Sequence, residues 1–191
     1  MIISGGWSPT LHLLSHRGIR PIWNDKNACF LAGDHGEPVT MAGSALGIWD
    51  HKDCVSSGEA SGFCAAEILG KKTIEYSFPN LSGWKNAIKP LYEIKIPNYK
   101  TKSFIDFQHD VTTDDIRLAY REGFVSSEHL KRYTTLGMAN DQGKLGNIIG
   151  LALMAECLGK EIPEVGTTTF RPPYTPVAIG ALSGRNTGDH F

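Results

Sequence analysis

Between residues 112 and 159 the chain spells three short helices in succession with little connecting text, and that density constrains the fold most. Thr112-Thr113-Asp114-Asp115 reads as a capping-box start, an acidic group placed three residues after a hydroxyl to satisfy the first free amides. Ile116, Ala119 and Tyr120 then share a face before Gly123 stops the helix. Ser126 or Ser127 caps a second helix, running through Glu128, Leu130 and Tyr133 to Gly137. Gly143-Lys144 opens a third, with Leu145, Ile148, Ile149, Ala152 and Leu153 on its inner face. Helices this short gain their stability from packing on one another, so a compact helical module is expected.

The first 70 residues have a different texture, rich in Gly, His and Trp. Residues 1–6 read as a strand that breaks at Gly5-Gly6, and residues 39–43 as a second short apolar run stopped by Gly43. A loop from Ser44 to about Asp53 follows. The stretch 55–69 then carries Ala60, Cys64, Ala65, Ile68 and Leu69 near helical spacing, with Gly70 as its stop. Strand, glycine turn, loop and helix form the grammar of a nucleotide-binding α/β unit. Residues 71–103 are a connector containing Pro79, Pro90 and Pro97, with one strand-like run over residues 91–96. Residues 167–191 form an arm with an apolar run from Val177 to Leu182. The expected fold class is α/β plus α: an incomplete dinucleotide-binding, Rossmann-like unit (1–70), the connector (71–103), a small helical domain (104–166) and the arm (167–191).

Composition removes several function classes. Lys and Arg number 19 against 20 Asp and Glu, and a chain without basic excess is a poor phosphate neutraliser, which argues against nucleic acid. The longest apolar stretch, residues 148–158, contains Glu156 and falls far short of the roughly 20 residues of a membrane span. The start of the chain shows no basic region and no long apolar core, so no signal peptide is expected. Cys29, Cys54, Cys64 and Cys157 lie far apart with no Cys-x-x-Cys pair, which points to reduced thiols and a cytoplasmic setting.

The motifs of familiar chemistry are missing. The chain holds no G-x-G-x-x-G, Walker A loop, H-E-x-x-H or G-x-S-x-G. His12 and His16 share one helix face by spacing, but no acidic or thiol ligand sits close by in sequence, so no metal is expected. The stretch His51 to Cys54 and the pair His109-Asp110 read as polar loop groups, because adjacent side chains point apart. No catalytic residue is singled out. The most suggestive segment is 131–144, where Lys131, Arg132, Thr134 and Thr135 end one helix and Gly143-Lys144 open the next. Backbone amides, a positive helix end and Lys144 would together make an anion pocket. Equally, Lys131 and Arg132 would only complement the carboxyl end of their own helix. Arg171, set among prolines, is either a presented guanidinium or an ordinary surface group.

Four strings are far more specific: SGGWSPTLHL (4–13), FIDFQHDVT (104–112), KRYTTLGMANDQGK (131–144) and GTTTFRPPYTPV (166–177). They resemble, in order and along essentially the whole chain, segments of the alpha subunit of heterotetrameric sarcosine oxidase. The resemblance implies a complex that oxidatively demethylates sarcosine at an FAD in a beta-type subunit, with electrons passing to an FMN at the alpha–beta interface. It implies NAD binding near residues 41–62, with Ser44, Trp49 and His51 as contacts. It implies Arg132, Thr134, Thr135, Lys144 and Arg171 as FMN phosphate or ring contacts.

The helical module also resembles the bacterioferritin-associated ferredoxin domain. Its cluster-ligand positions here read Asp106-Phe107-Gln108 and residues 141–146, with no thiol among them. A cluster needs about four thiolates, so no iron–sulfur cluster is expected. The family's amino-terminal G-x-G-x-x-G half and its folate-binding domain have no counterpart in these residues. The implied partners are therefore a flavin-carrying beta-type subunit, a chain supplying the G-x-G-x-x-G half, and a folate-binding chain. Alone, the chain is expected to be inactive. A non-catalytic assembly subunit, or the equivalent piece of an N-methylglutamate or proline dehydrogenase, are the alternatives.

Overall fold

The computed structural model describes residues 6–33, 39–74, 77, 80, 81, 87–98, 101–170, 174–185 and 188. In chain order they form α1 (His12–His16), β1 (Ile22–Asn24), β2 (Cys29–Leu31), a 3-10 turn (Gly43–Leu46), α2 (His51–Ile68), β3 (Phe104–Asp106) and β4 (Val111–Thr112). The helices α3 (Thr113–Arg121), α4 (Ser127–Thr134), α5 (Asn147–Leu158), α6 (Ile162–Val165) and α7 (Ile179–Ser183) follow. The fold is mixed α and β. Both sheets are two-stranded antiparallel hairpins, β1 with β2 and β3 with β4.

The helical module forms for the local reasons expected. The Thr112 N–H donates to the Asp115 carboxylate at 2.8 Å, closing the capping box of α3. Ser126 is the cap of α4, its hydroxyl accepting the His129 N–H, while the Ser127 hydroxyl donates to the Thr167 carbonyl. Helix α5 is apolar nearly all round, the pattern of a helix buried on every side. Its Leu153 and Met154 join Ile105, Val111, Ile116, Ala119, Leu130 and Leu136 in one core. Its Leu151 joins Leu11 and Phe30 from the first part of the chain, with Trp23, Met41 and Ile162 packed around them. One helix thus nails the amino-terminal hairpin to the helical module.

Several expectations need correcting. The third helix begins at Asn147, not at Gly143-Lys144, because Gln142 and Gly143 both take the left-handed backbone (φ 52° and 75°) and hold residues 142–146 in a turn. Leu145 therefore leaves the inner face and is 59% exposed. Helix α2 starts at His51 instead of Val55, because Asp50 caps it: one carboxylate oxygen accepts the Lys52 and Asp53 N–H groups. The run 39–43 makes no strand and leads into the 3-10 turn. The strand-like run at 91–96 has no ladder partner among the described residues. It is strapped down by side chains instead, Arg117 to Glu93 at 2.5 Å and Lys95 to Glu156 at 3.1 Å. The strand expected at residues 1–6 lies outside the described residues except for Gly6.

Candidate functional site

The segment 131–144 closes on itself. Gly137 and Gly143 lie so near that a Cβ on Gly137 would sit 3.1 Å from the Gly143 Cα. Both use positive φ (70° and 75°), and both press on Asn147 at the start of α5. Asn147 in turn donates to the Gln142 carbonyl at 3.4 Å and the Thr168 hydroxyl at 3.1 Å. From below, Asp106 holds the loop. This carboxylate is 4% exposed and accepts the Gln108 and His109 N–H groups through one oxygen and the Gly137 N–H through the other. A buried carboxylate with three N–H donors is satisfied as an anion. It therefore acts as a structural clasp.

This closure brings Thr134, Thr135 and Lys144 to the two ends of one loop. The Thr134 hydroxyl donates to the Leu130 carbonyl and accepts the Leu136 N–H, terminating α4. Thr135 takes the left-handed backbone at the end of α4, and its carbonyl meets His109 Nδ1 at 3.1 Å. Arg132 is exposed and faces Glu128 one turn back at 3.6 Å, a surface pair of small energetic weight. Lys144 is exposed, and among the described residues it has no carboxylate partner. Its ammonium lies 4.1 Å from the Tyr174 ring centroid instead. Arg171 lies outside the described residues.

Tyr174 was not singled out from the sequence. On its other face the His12 ring stacks at 3.9 Å with 7° between planes, and Phe170 meets it edge-on. The His12–His16 spacing was the one legible hint, since the two rings do share α1, at 6.0 Å. Burial, followed by the charges of His16 and Lys144, holds the His12 imidazole below the ordinary histidine range.

Ser44, Trp49 and His51 form a separate group on the 3-10 turn and the start of α2. Ser44 and His51 are exposed, and Trp49 tilts against Trp7 with ring centroids 6.1 Å apart. Trp7 itself is 72% exposed, so the pair offers an open aromatic face. The amino end of α2 is occupied by Asp50, with Asp53 in its first turn. Two carboxylates where a phosphate would dock disfavour an anion there.

A third feature was not assigned a role from the sequence. A cleft of about 640 Å³ opens between the β1–β2 hairpin and α4, lined among others by Arg20, Trp23, Phe30, Ser127, Glu128 and Thr169. It combines aromatic walls with one guanidinium and several hydroxyls. None of the cofactor-contact candidates picked from sequence lines it.

Comparison with known proteins agrees with this architecture. Residues 100–185 match the sarcosine oxidase A3 domain. The whole chain is 41% identical to a stretch of the sarcosine oxidase subunit alpha of Rhizobium meliloti (strain 1021), covering 19% of that protein. Over 99% of its length it is 36% identical to the corresponding subunit of Corynebacterium sp. (strain P-1), covering 20% of it. The crystal structure of L-proline dehydrogenase from P. horikoshii shares the fold over 93% of this chain and 37% of its own, with TM-score 0.66 and 21% identity. The chain spans about one fifth of the length of the alpha subunits it matches, and over that stretch it is similar to the sarcosine oxidase alpha subunit.

Proposed function

We propose that the chain serves as a subunit, or as part of the alpha subunit, of a sarcosine oxidase complex, an oxidoreductase acting on CH–NH donors. The observation that carries this reading is the 41% identity sustained along all 191 residues, together with the A3 domain match. The role we assign is positional. The chain shapes cofactor surfaces at an interface and leaves the substrate chemistry to a flavin-carrying beta-type partner. FAD belongs to that partner.

The residues present fit an FMN at the 131–144 loop. Lys144 is an exposed cation without a carboxylate partner among the described residues, held in place by an aromatic ring. Lys144 and Arg132 would neutralise the FMN phosphate, with Arg171 as a third cation, while Thr134 and Thr135 would line its approach. When bound, FMN supplies electron transfer at the subunit interface. Phe107, Met138 and Leu145 are large, apolar and exposed on the surrounding loops, as a surface covered by a partner would be. We read residues 104–166 as the ferredoxin-like domain retained without its cluster, since Asp106 there is committed to backbone N–H groups.

The fit to NAD is narrower. The Asp50 cap disfavours a pyrophosphate at the start of α2, so Ser44, Trp49 and His51 would meet an uncharged part of NAD, with a ring stacked on the Trp7–Trp49 face. The remaining dinucleotide contacts would come from a chain carrying the G-x-G-x-x-G half. A folate-binding chain would complete the assembly. The same Asp50 cap favours one second reading, in which this part is a non-catalytic assembly surface. Purifying the chain with its partners and measuring NAD released on denaturation separates the two. Stoichiometric NAD supports the cofactor role, and none supports the assembly role.

A further inference from the structure

The stack of Lys144, Tyr174 and His12 joins three parts of the chain that are remote in sequence: the loop before α5, the carboxy-terminal arm and α1. Tyr174 is the arm's first described residue after Phe170, and His12 and Lys144 cover its two faces at 3.9 Å and 4.1 Å. The His12 Nδ1 is buried and has no hydrogen-bond partner among the described residues. We infer that these three side chains form a proton-sensitive latch that docks the arm against the amino-terminal part of the chain.

Docking of the arm and protonation of His12 oppose each other. A neutral imidazole offers Tyr174 a flat face, and its Nδ1 tolerates enclosure as a bare acceptor better than as an N–H donor with nothing to meet. A protonated imidazole must carry hydrogen on both nitrogens, so its Nδ1–H would be buried without an acceptor. It would also place a second cation across the ring from Lys144 and beside His16, the charged or titratable groups that face it from the loop and from α1. Docking the arm therefore opposes protonation of His12. By linkage, protonation opposes docking to the same degree. Because His12 is held below its ordinary value, its contribution to docking is fully present above the ordinary histidine value and is lost as pH falls through the lowered one.

The test is hydrogen exchange of the full chain between about pH 5.5 and 7.5, corrected for intrinsic rates, reading residues 174–183 against α5 as an internal control. The wild-type arm should lose protection by about 5-fold or more at the acidic end, the lower range of coupling between linked sites. His12→Phe keeps a flat ring without a titrating proton, and its arm should stay equally protected throughout. Constant arm protection in the wild type, or an unchanged pH response in His12→Phe, overturns the latch. Should His12→Phe fail to fold, NMR titration of His12 in Tyr174→Leu decides instead. Its pKa should return toward the ordinary histidine value once the ring is gone, and an unmoved pKa refutes the coupling.

Discussion

Gly143→Ala should be among the most damaging single-methyl additions in the molecule, and the reason can be worked out atom by atom. Gly143 holds φ +75°, and a Cβ built there would lie 2.1 Å from Asn147 Oδ1 and 2.2 Å from its Cγ. The left-handed backbone alone costs a residue with Cβ about 1–2 kcal/mol. The clash expels the Asn147 amide, which then gives up its bonds to Thr168 Oγ1 and the Gln142 carbonyl, each worth about 0.5–1.5 kcal/mol. The sum is about 2–5 kcal/mol, equivalent to roughly 5–15 °C in melting temperature for a chain of this size. Urea or thermal unfolding of Gly143→Ala, Asn147→Ala and the double variant measures it. With Asn147 already truncated, the added methyl should cost only its backbone part, so the two substitutions should couple by about 1–3 kcal/mol. Additivity to within about 0.5 kcal/mol would refute the packing argument.

Two further predictions concern the connector and the buried thiol. Burial alone would raise the Glu93 carboxyl, but its hydrogen bonds to Arg117 and Thr113 and the charges of Arg117 and Lys95 hold it below the usual carboxylate range. Its contribution is therefore present at neutral pH and lost as pH falls through that lowered value. Glu93→Gln should cost about 1–2 kcal/mol at pH 7, a modest figure because Arg117 is partly exposed, and the difference from wild type should shrink in acid. A variant gap independent of pH counts against the ion pair as the strap. Cys29 is 1% exposed and burial pushes its thiol up to about 11, so at pH 8 it should react with a thiol reagent far more slowly than the half-buried Cys54, Cys64 and Cys157. Mass mapping showing Cys29 modified alongside them in the native chain disproves its burial.

What was legible in the sequence was local. The capping box at Thr112, the Ser126 cap and the glycine stop at Gly123 act between neighbours, so the ends of α3 and the start of α4 stand where the residue types place them. The start of α5 was not legible. Gly143 and Lys144 look like a helix opening, but two consecutive left-handed residues, with the Asn147 amide bonded back to the Gln142 carbonyl, hold a turn there. The hairpin strands run two or three residues, too short for an alternating pattern to show. Residues 91–96 have strand composition and lack a strand partner among the described residues, because pairing is a tertiary property. Of the candidate site, Thr134, Thr135 and Lys144 could be placed on one loop from spacing. The rings that position Lys144 come from either end of the chain, where no periodicity links them.

The role proposed for the 131–144 loop is to help hold FMN. The direct measurement is the flavin content of the complex purified with its partner chains, comparing wild type with Arg132→Ala and with Lys144→Ala. Each variant removes a cation from the proposed phosphate end, and hydrogen bonds to a charged group are worth about 1.5–3 kcal/mol, so FMN occupancy should fall at least several-fold under dilute conditions while the FAD proposed for the partner stays constant. Full FMN occupancy in both variants would contradict the assignment.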